Sequence, residues 1–567
     1  MTNNEEKLEK FLFFKKIKPF WFLVIFGFIL YFPTLFFNFT YLDDNTLILD
    51  NQYFLSNISN IFKSFNTDVF HLFNHSAFYY RPILTISLML DFQIGGINPF
   101  IYHFTNLFLH IVASYLVFLF LFKLDYKKKL ALLFATIFLV HPVLTQAVSW
   151  VPGRNDSLLM VFILATFVFF IDYLKENKKN YLIFSLFFVF LSFFTKESGI
   201  LLVPISLFFI LFIYRKFDNK NLLRRVLPYF LGSIIILIWW FFLRKNALEG
   251  SAGLTIIEMF KSLVFNLPAV VQFIGKIFLP FNLSVLPIIQ NTTFFYGILS
   301  SIFVFYIVFR TKDKRWNYIA FGSLWFFAFL LPSFIRPNSS LVADFIEHRV
   351  YVPIVGIFII LLETSLFKKI DLENNKTKNI FITILIIFSL ITFFRNFVFA
   401  NKTNFWENAA KNSPDYPLAH RNLGAMKFLD GDYEWAEKEF IRALELNPYE
   451  EMAHNNLGLI YANRGEYEKA EKEYKKELEI NPYYDNAYFN LGLLYFIWGR
   501  EEDAVFYWKK TLEINPNFLD ALRNLASYYY EKKDYVEMSK YVILLDKLGF
   551  KVPDYMLTFV YLNKVVN

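Results

Sequence analysis

Two adjacent carboxylates, Asp43 and Asp44, stand just past the first long apolar run, in Tyr41-Leu42-Asp43-Asp44-Asn45. Paired acids at a membrane surface can orient a hydroxyl and accept its proton, the work of a general base. Taken alone they favour a plainer reading, as caps of a helix starting near Thr46, since Asp is a preferred N-cap. Further clusters shift that balance. Tyr80-Arg81-Pro82 closes the same loop, and His103 and Asn106 stand one helical turn apart. His141-Pro142 and Pro152-Gly153-Arg154-Asn155-Asp156 bracket another segment, followed by Lys196-Glu197-Ser198-Gly199 and then Glu347-His348-Arg349-Val350-Tyr351. Arg81, Arg154, Lys196 and Arg349 converging on one membrane face suit a phosphate-bearing ligand, because Arg offers a planar fork and Lys a point charge. Each cluster alone reads as a satisfied helix-end charge. Together they point to a shared site that also draws on His103, His141, Asp156, Glu197, Glu347 and His348.

The elements that must position these residues follow from composition. The chain has 567 residues, 56% hydrophobic and 21% aromatic, with 76 Phe and only 19% charged. Soluble domains carry about 25% charged residues. Together with a mean hydropathy of +0.38, this leaves a polytopic membrane protein. About 20 apolar residues cross a bilayer core. Eleven runs come near that length: 20–37, 103–122, 130–148, 158–174, 181–194, 200–213, 227–242, 294–309, 318–335, 350–367 and 380–397. The first is too long for a cleavable signal and lacks a small-residue cleavage site. The run 260–286 is interrupted by Lys261, Lys276 and prolines, and reads as interfacial or re-entrant, a full span being the alternative.

Six segments, 7–18, 123–129, 175–179, 215–225, 310–315 and 368–378, hold 25 of the 36 basic residues that precede Asn401. Cytoplasmic loops carry that bias. With the N-terminus in the cytoplasm, eleven spans place the five clusters and the C-terminal part on the non-cytoplasmic side, whether periplasmic, extracellular or luminal. The net charge of +8 then resolves into +14 before Asn401, mostly topology signals, and −6 after it. Nucleic acid is not needed to explain it.

From Asn401 the pattern is polar and helical. Pro414, Pro448, Pro482 and Pro516 recur every 34 residues, in phase with Ala419, Ala453, Ala487 and Ala521 and with Asn422, Asn456, Asn490 and Asn524. Gly424, Gly458 and Gly492 follow the same period, as do Ala436, Ala470 and Ala504. That period, with small residues where two helices cross, resembles the tetratricopeptide repeat. Repeats near 414–447, 448–481 and 482–515 are clear, and 516–549 is degenerate, with Met538 in place of the small residue. Such pairs stack into an α-solenoid with a groove, which binds a protein or peptide or self-associates. The expected architecture is all-α: a membrane domain over 1–400 and a repeat domain over 401–567.

Other chemistries lack their residues. The absence of cysteine removes disulfides, Cys-ligated zinc and thiol nucleophiles. No Gly-x-x-x-x-Gly-Lys loop and no His-Glu-x-x-His helix is present, so neither nucleotide hydrolysis nor a zinc protease is supported.

As a set, Tyr41–Asp44, Tyr80–Pro82, His103–Asn106, His141–Val143 through Gly153–Asp156, Lys196–Gly199 and Glu347–Tyr351 resemble the GT-C superfamily of membrane glycosyltransferases. Joined to the repeats, they resemble the transmembrane and tetratricopeptide-repeat O-mannosyltransferases and their bacterial relatives. The resemblance covers nearly the whole membrane half. It implies that Asp43 or Asp44 acts on the acceptor hydroxyl, and that Arg81, Arg154, Lys196 and Arg349 hold the departing polyprenyl phosphate. It also implies a mannose-like sugar moved with inversion from a polyprenyl-phosphate donor to a protein Ser or Thr, without a divalent metal or other cofactor. One departure is Gln146, where the family often has an acid. Two other readings stay open, a non-enzymatic scaffold for envelope assembly and a polysaccharide ligase or export protein; so does a homodimer.

Overall fold

The computed structural model describes residues 18–71, 79–214, 219–248, 255–335 and 344–553, together with 556, 557 and 560. The basic segments 7–18 and 215–225 and the loop 38–80 therefore lie partly outside the described residues. The fold is helical, with short 3-10 and π turns and, among the described residues, one isolated antiparallel bridge between Ile288 and Asp344. Two compact units form, 1–413 and 414–567.

Among the described residues of the first unit six helices are long and apolar enough to cross a membrane: Pro19–Phe36, Pro99–Lys123, Val151–Glu176, Leu222–Ala247, Trp316–Phe334 and Asn375–Phe399. Two bent pairs raise the number to eight if each is one span. This multi-pass unit differs from the eleven expected spans for local reasons. Residues 130–148 bend by 52° at His141-Pro142, because Pro lacks the N–H that an unbroken helix needs. Residues 350–367 hold only the nine-residue helix Ile354–Leu362, between a 3-10 turn and the short helix Ser365–Lys368. The runs 181–194, 200–213 and 294–309 fall within apolar helices of 10–17 residues. The interrupted run forms Ile256–Asn266 and Ala269–Phe278, bent by 47° at Leu267-Pro268, a broken span or a re-entrant element. One apolar helix, Pro82–Gly95, was not expected.

Val151–Glu176 is the central element, with 83% of its apolar window buried, against 17% for Asn375–Phe399. The turn that opens it and the turn after the next helix, Lys179–Thr195, carry two of the sequence clusters, and a glycine in each is required by packing. A Cβ on Gly153 would meet the Gln146 carbonyl oxygen at 2.6 Å, and one on Gly199 would meet that of Ser192 at 2.2 Å. Real Cβ atoms do not approach backbone so closely, so only glycine fits there.

Composition changes at Asn401, whereas packing changes at Ser413–Pro414. Helix Lys402–Asn412 is polar on average, yet it buries Phe405, Trp406, Ala409 and Ala410 within the first unit.

Among its described residues the second unit contains four helix pairs: Pro417–Leu429 with Tyr433–Leu446, Ala453–Asn463 with Tyr467–Ile480, Asp485–Ile497 with Glu501–Ile514, and Leu519–Glu531 with Tyr535–Lys547. The small residues sit where helices touch. A Cβ on Gly458 would strike the Tyr474 ring at 2.6 Å, and one on Gly492 the Trp508 ring at 2.4 Å. The turn inside each of the first three pairs is made by a left-handed glycine, Gly431, Gly465 and Gly499, at φ +83°, +75° and +82°. In the degenerate pair Lys533 holds that conformation at φ +63°. A side chain there costs about 1–2 kcal/mol, partly offset by the chain entropy that glycine loses on folding. Lys533→Gly is therefore expected to stabilise the repeat unit by about 0.5–1 kcal/mol. It should appear as a higher urea midpoint for that unit's unfolding; an unchanged or lower midpoint would contradict it.

Candidate active site

The chain leaves the first span through Thr40 and Tyr41, and Tyr41 adopts φ +58°. That reversal lets Thr40 fold back onto Asp44: its backbone N–H donates to Asp44 Oδ2 at 3.1 Å and its hydroxyl to the same oxygen at 2.5 Å. Asp43 and Asp44 open a helical turn that continues as a π turn over Asn45–Leu49. The Asp44 side chain makes no cap hydrogen bond, so the capping alternative is not what it does. Asp44 is fully buried, with the Trp150 indole N–H as a further polar neighbour of its carboxylate. Burial raises the Asp44 carboxyl above its ordinary range, against the two Thr40 bonds.

Asp43 is only partly buried. Burial, then Asp44, push its carboxyl up to about 7, with Asp344 adding to the rise and Arg81 opposing it. Both carboxyls are thus raised, and they differ in their bonding: Asp44 is held by Thr40, while Asp43 stays partly exposed beside it.

Arg81 acts on Asp43, and it and the cations linked to it are each seated on a carboxylate. Arg81 Nε lies 3.4 Å from Glu197 Oε2, and the Tyr80 N–H donates to Glu197 Oε1 at 3.0 Å. Lys196 Nζ lies 2.7 Å from Asp156 Oδ1, and His348 Nε2 lies 3.5 Å from Asp156 Oδ2. Arg349 bonds the Asp344 carboxylate at 3.1 Å and its carbonyl at 2.9 Å. These pairs form one field, since Lys196 acts on both Arg81 and Arg349, and Arg81 on Asp43 and Asp156. Burial lowers the His348 imidazole to about 3, Lys196 and Arg349 reinforcing it against Asp156. The ring is therefore neutral near pH 7.

Asp43, Asp44, Arg81, Asp156, Lys196, Glu197, His348 and Arg349 are thus brought together. Four other candidates are not. Arg154 is completely buried and paired with Asp91 at 2.5 Å, and it donates to Asn106 Oδ1 at 2.7 Å and the Tyr102 carbonyl at 2.8 Å. Its charge is consumed by the protein, which corrects its expected place at a donor phosphate. His103 is buried between Arg154 and the Phe37 ring, 6.2 Å away. His141 bonds the Ile277 carbonyl at 2.9 Å and accepts from the Val143 N–H at 3.3 Å, fixing the kink at Pro142. Glu347 turns away to Lys276 at 2.8 Å and Arg395 at 2.6 Å. Gln146 is buried and donates to the Val285 carbonyl at 3.0 Å.

Sequence reasoning missed Asp344, Thr40 and Trp150. The first had a signal, an acid five residues before Arg349; the others lie in apolar or loop runs where nothing marks them.

Two family matches give the class that the chain resembles. Residues 84–242 match the dolichyl-phosphate-mannose-protein mannosyltransferase family, and residues 449–517 match the tetratricopeptide repeat. The first match includes Asp156, Lys196 and Glu197 and ends short of Asp43, Arg81 and Arg349 on either side.

Particular relatives are named protein O-mannosyl-transferases. The chain is 25% identical over 405 residues to a protein O-mannosyl-transferase of Caenorhabditis elegans, covering 66% of this chain and 54% of that protein. It is 29% identical over 228 residues to human protein O-mannosyl-transferase TMTC2, covering 38% and 27%. To human TMTC4 it is 31% identical over 169 residues, covering 26% and 23%. The aligned parts thus span about half or less of these relatives' length.

Proposed function

We propose that the chain is a membrane glycosyltransferase that moves a mannose-like sugar from a polyprenyl-phosphate donor to a hydroxyl, on protein Ser or Thr, at the non-cytoplasmic face. The observation that carries this reading is the cluster itself: an Asp43 carboxyl with no hydrogen bond among the described residues and a raised proton affinity, acted on by Arg81, which shares one field with Lys196 and Arg349. The similarity of residues 84–242 to a mannosyltransferase family supports it.

In the proposed reaction Asp43 accepts the proton of the acceptor hydroxyl as that oxygen bonds to the anomeric carbon. The bond from that carbon to the phosphate oxygen breaks, and the polyprenyl phosphate leaves with the electron pair. A single displacement inverts the anomeric centre. Lys196 and Arg349 meet the charge that develops on the leaving phosphate, and fixed cations in a water-poor site stabilise it strongly. Asp156 and Asp344 keep those cations oriented before the donor arrives. Neutral His348 can donate or accept a hydrogen bond without adding charge. No cofactor or divalent metal is assigned to the reaction, and the repeat unit recruits the polypeptide acceptor.

A glycoproteomic comparison of cells with and without the gene tests this reading. Sugar on Ser or Thr that vanishes with the gene supports it, and unchanged glycopeptides contradict it. Within the site, Lys196→Ala is expected to lower kcat/KM about 100-fold, in line with removal of one transition-state charge contact. A loss under threefold would exclude Lys196 from the leaving-group site.

A further inference from the structure

Tyr41 is the residue at this site that the reaction above leaves unused. It holds φ +58°, a region that non-glycine residues occupy sparingly and mainly where function or packing demands it. The demand is visible on one side only: the reversal brings Thr40 onto Asp44. On the other side it carries the Tyr41 ring outward, where the residue stays 40% exposed. The ring has one described neighbour of opposite character, the Lys402 ammonium, 5.5 Å from its centroid. The backbone N–H of Asn38 donates to the Ala400 carbonyl at 2.9 Å, fastening this loop beside the start of helix Lys402–Asn412. An exposed aromatic face flanked by an ammonium thus stands two residues from Asp43. Two residues span at most about 7 Å of chain, comparable to the width of one pyranose.

We propose that the Tyr41 ring is a stacking platform for the donor sugar. A pyranose presents C–H groups on one face and hydroxyls at its rim, matching an aromatic face with a neighbouring cation. A sugar whose anomeric carbon lies in front of Asp43 has its ring within reach of Tyr41. Tyr41 is then a specificity-determining residue that binds the sugar and takes no part in proton transfer. This inference rests on the glycosyl-transfer reading above.

The test separates ring from backbone. Tyr41→Phe and Tyr41→Trp keep an aromatic face, Tyr41→Ala removes it and keeps the strain, and Tyr41→Gly removes it while permitting φ > 0. Aromatic contacts of this kind correspond to about five- to tenfold in affinity. The full chain in proteoliposomes should show KM for the polyprenyl-phosphate sugar raised about five- to tenfold in both Ala and Gly variants. The kcat and the acceptor KM should stay within about threefold, and the aromatic variants should resemble the parent. A Gly variant with the parent's donor KM would overturn the proposal, leaving only a backbone role. A change confined to the acceptor KM would also overturn it, in favour of acceptor contact. If the parent chain transfers no sugar, the glycosyl-transfer reading itself fails, a result distinct from either of these.

Discussion

Asp43→Asn is expected to reduce sugar transfer by about 10²–10⁴-fold, the range supplied by a positioned general base. The carboxyl has no hydrogen bond to lose among the described residues and is partly exposed, so stability should change little. Thermal unfolding of the purified variant checks that point. The parent protein is expected to carry a further signature. Asp43 must be ionised to accept a proton, and its carboxyl is held near 7. Its activity should therefore rise with pH through about 7 and level off above, where an ordinary Asp would have been ionised since about pH 4. In Asp44→Asn the side-chain oxygen can still accept from Thr40, but the negative neighbour is gone. The midpoint should move to lower pH. A profile flat from pH 5 to 8 in the parent would remove Asp43 from the role of base.

The second large effect is on folding. Glu347 is completely buried between Lys276 and Arg395, and its Oε1 also accepts the Ser284 N–H at 2.9 Å. These contacts tie the bent element Ala269–Phe278 to the 3-10 turn Glu347–Val350 and to the end of helix Asn375–Asn396. Glu347→Ala would leave two cations buried without a counter-charge. Removing one member of a buried ionic group typically costs about 3–5 kcal/mol. The variant should therefore unfold at markedly lower temperature or aggregate on extraction. Glu197→Ala is the control. Its pair with Arg81 is longer, at 3.4 Å, and its carboxylate is 29% exposed, so exposure should hold the loss to about 1 kcal/mol. Equal thermal shifts in the two variants would contradict this ranking of the contacts by burial.

That contrast also explains what could be read from sequence. The 34-residue period was legible because the first three repeats reuse the same contact, a glycine against the ring of Phe440, Tyr474 or Trp508. The site clusters were legible because charges are sparse in an apolar chain. Which cation faces the site was not, because pairing depends on elements distant in sequence. Arg154 and Asp156 are two residues apart on one helix, yet Arg154 is claimed by Asp91 from the unexpected helix Pro82–Gly95, while Asp156 faces Lys196. Glu347 and His348 are adjacent and turn to different networks for the same reason. Span lengths were misjudged where a break divides an apolar run, at Pro142 and at Glu363-Thr364, since hydropathy averages across the break. The composition boundary at Asn401 misplaced helix Lys402–Asn412, whose few apolar residues all lie on the face that is buried.

The most direct test uses the purified full-length chain in proteoliposomes, supplied with labelled polyprenyl-phosphate mannose and an unfolded Ser/Thr-rich polypeptide. Mass spectrometry of the recovered polypeptide should find hexose on Ser or Thr with the parent chain and none above background with Asp43→Asn. Equal hexose from both proteins, or none from the parent, would contradict the assignment of glycosyl transfer to this site.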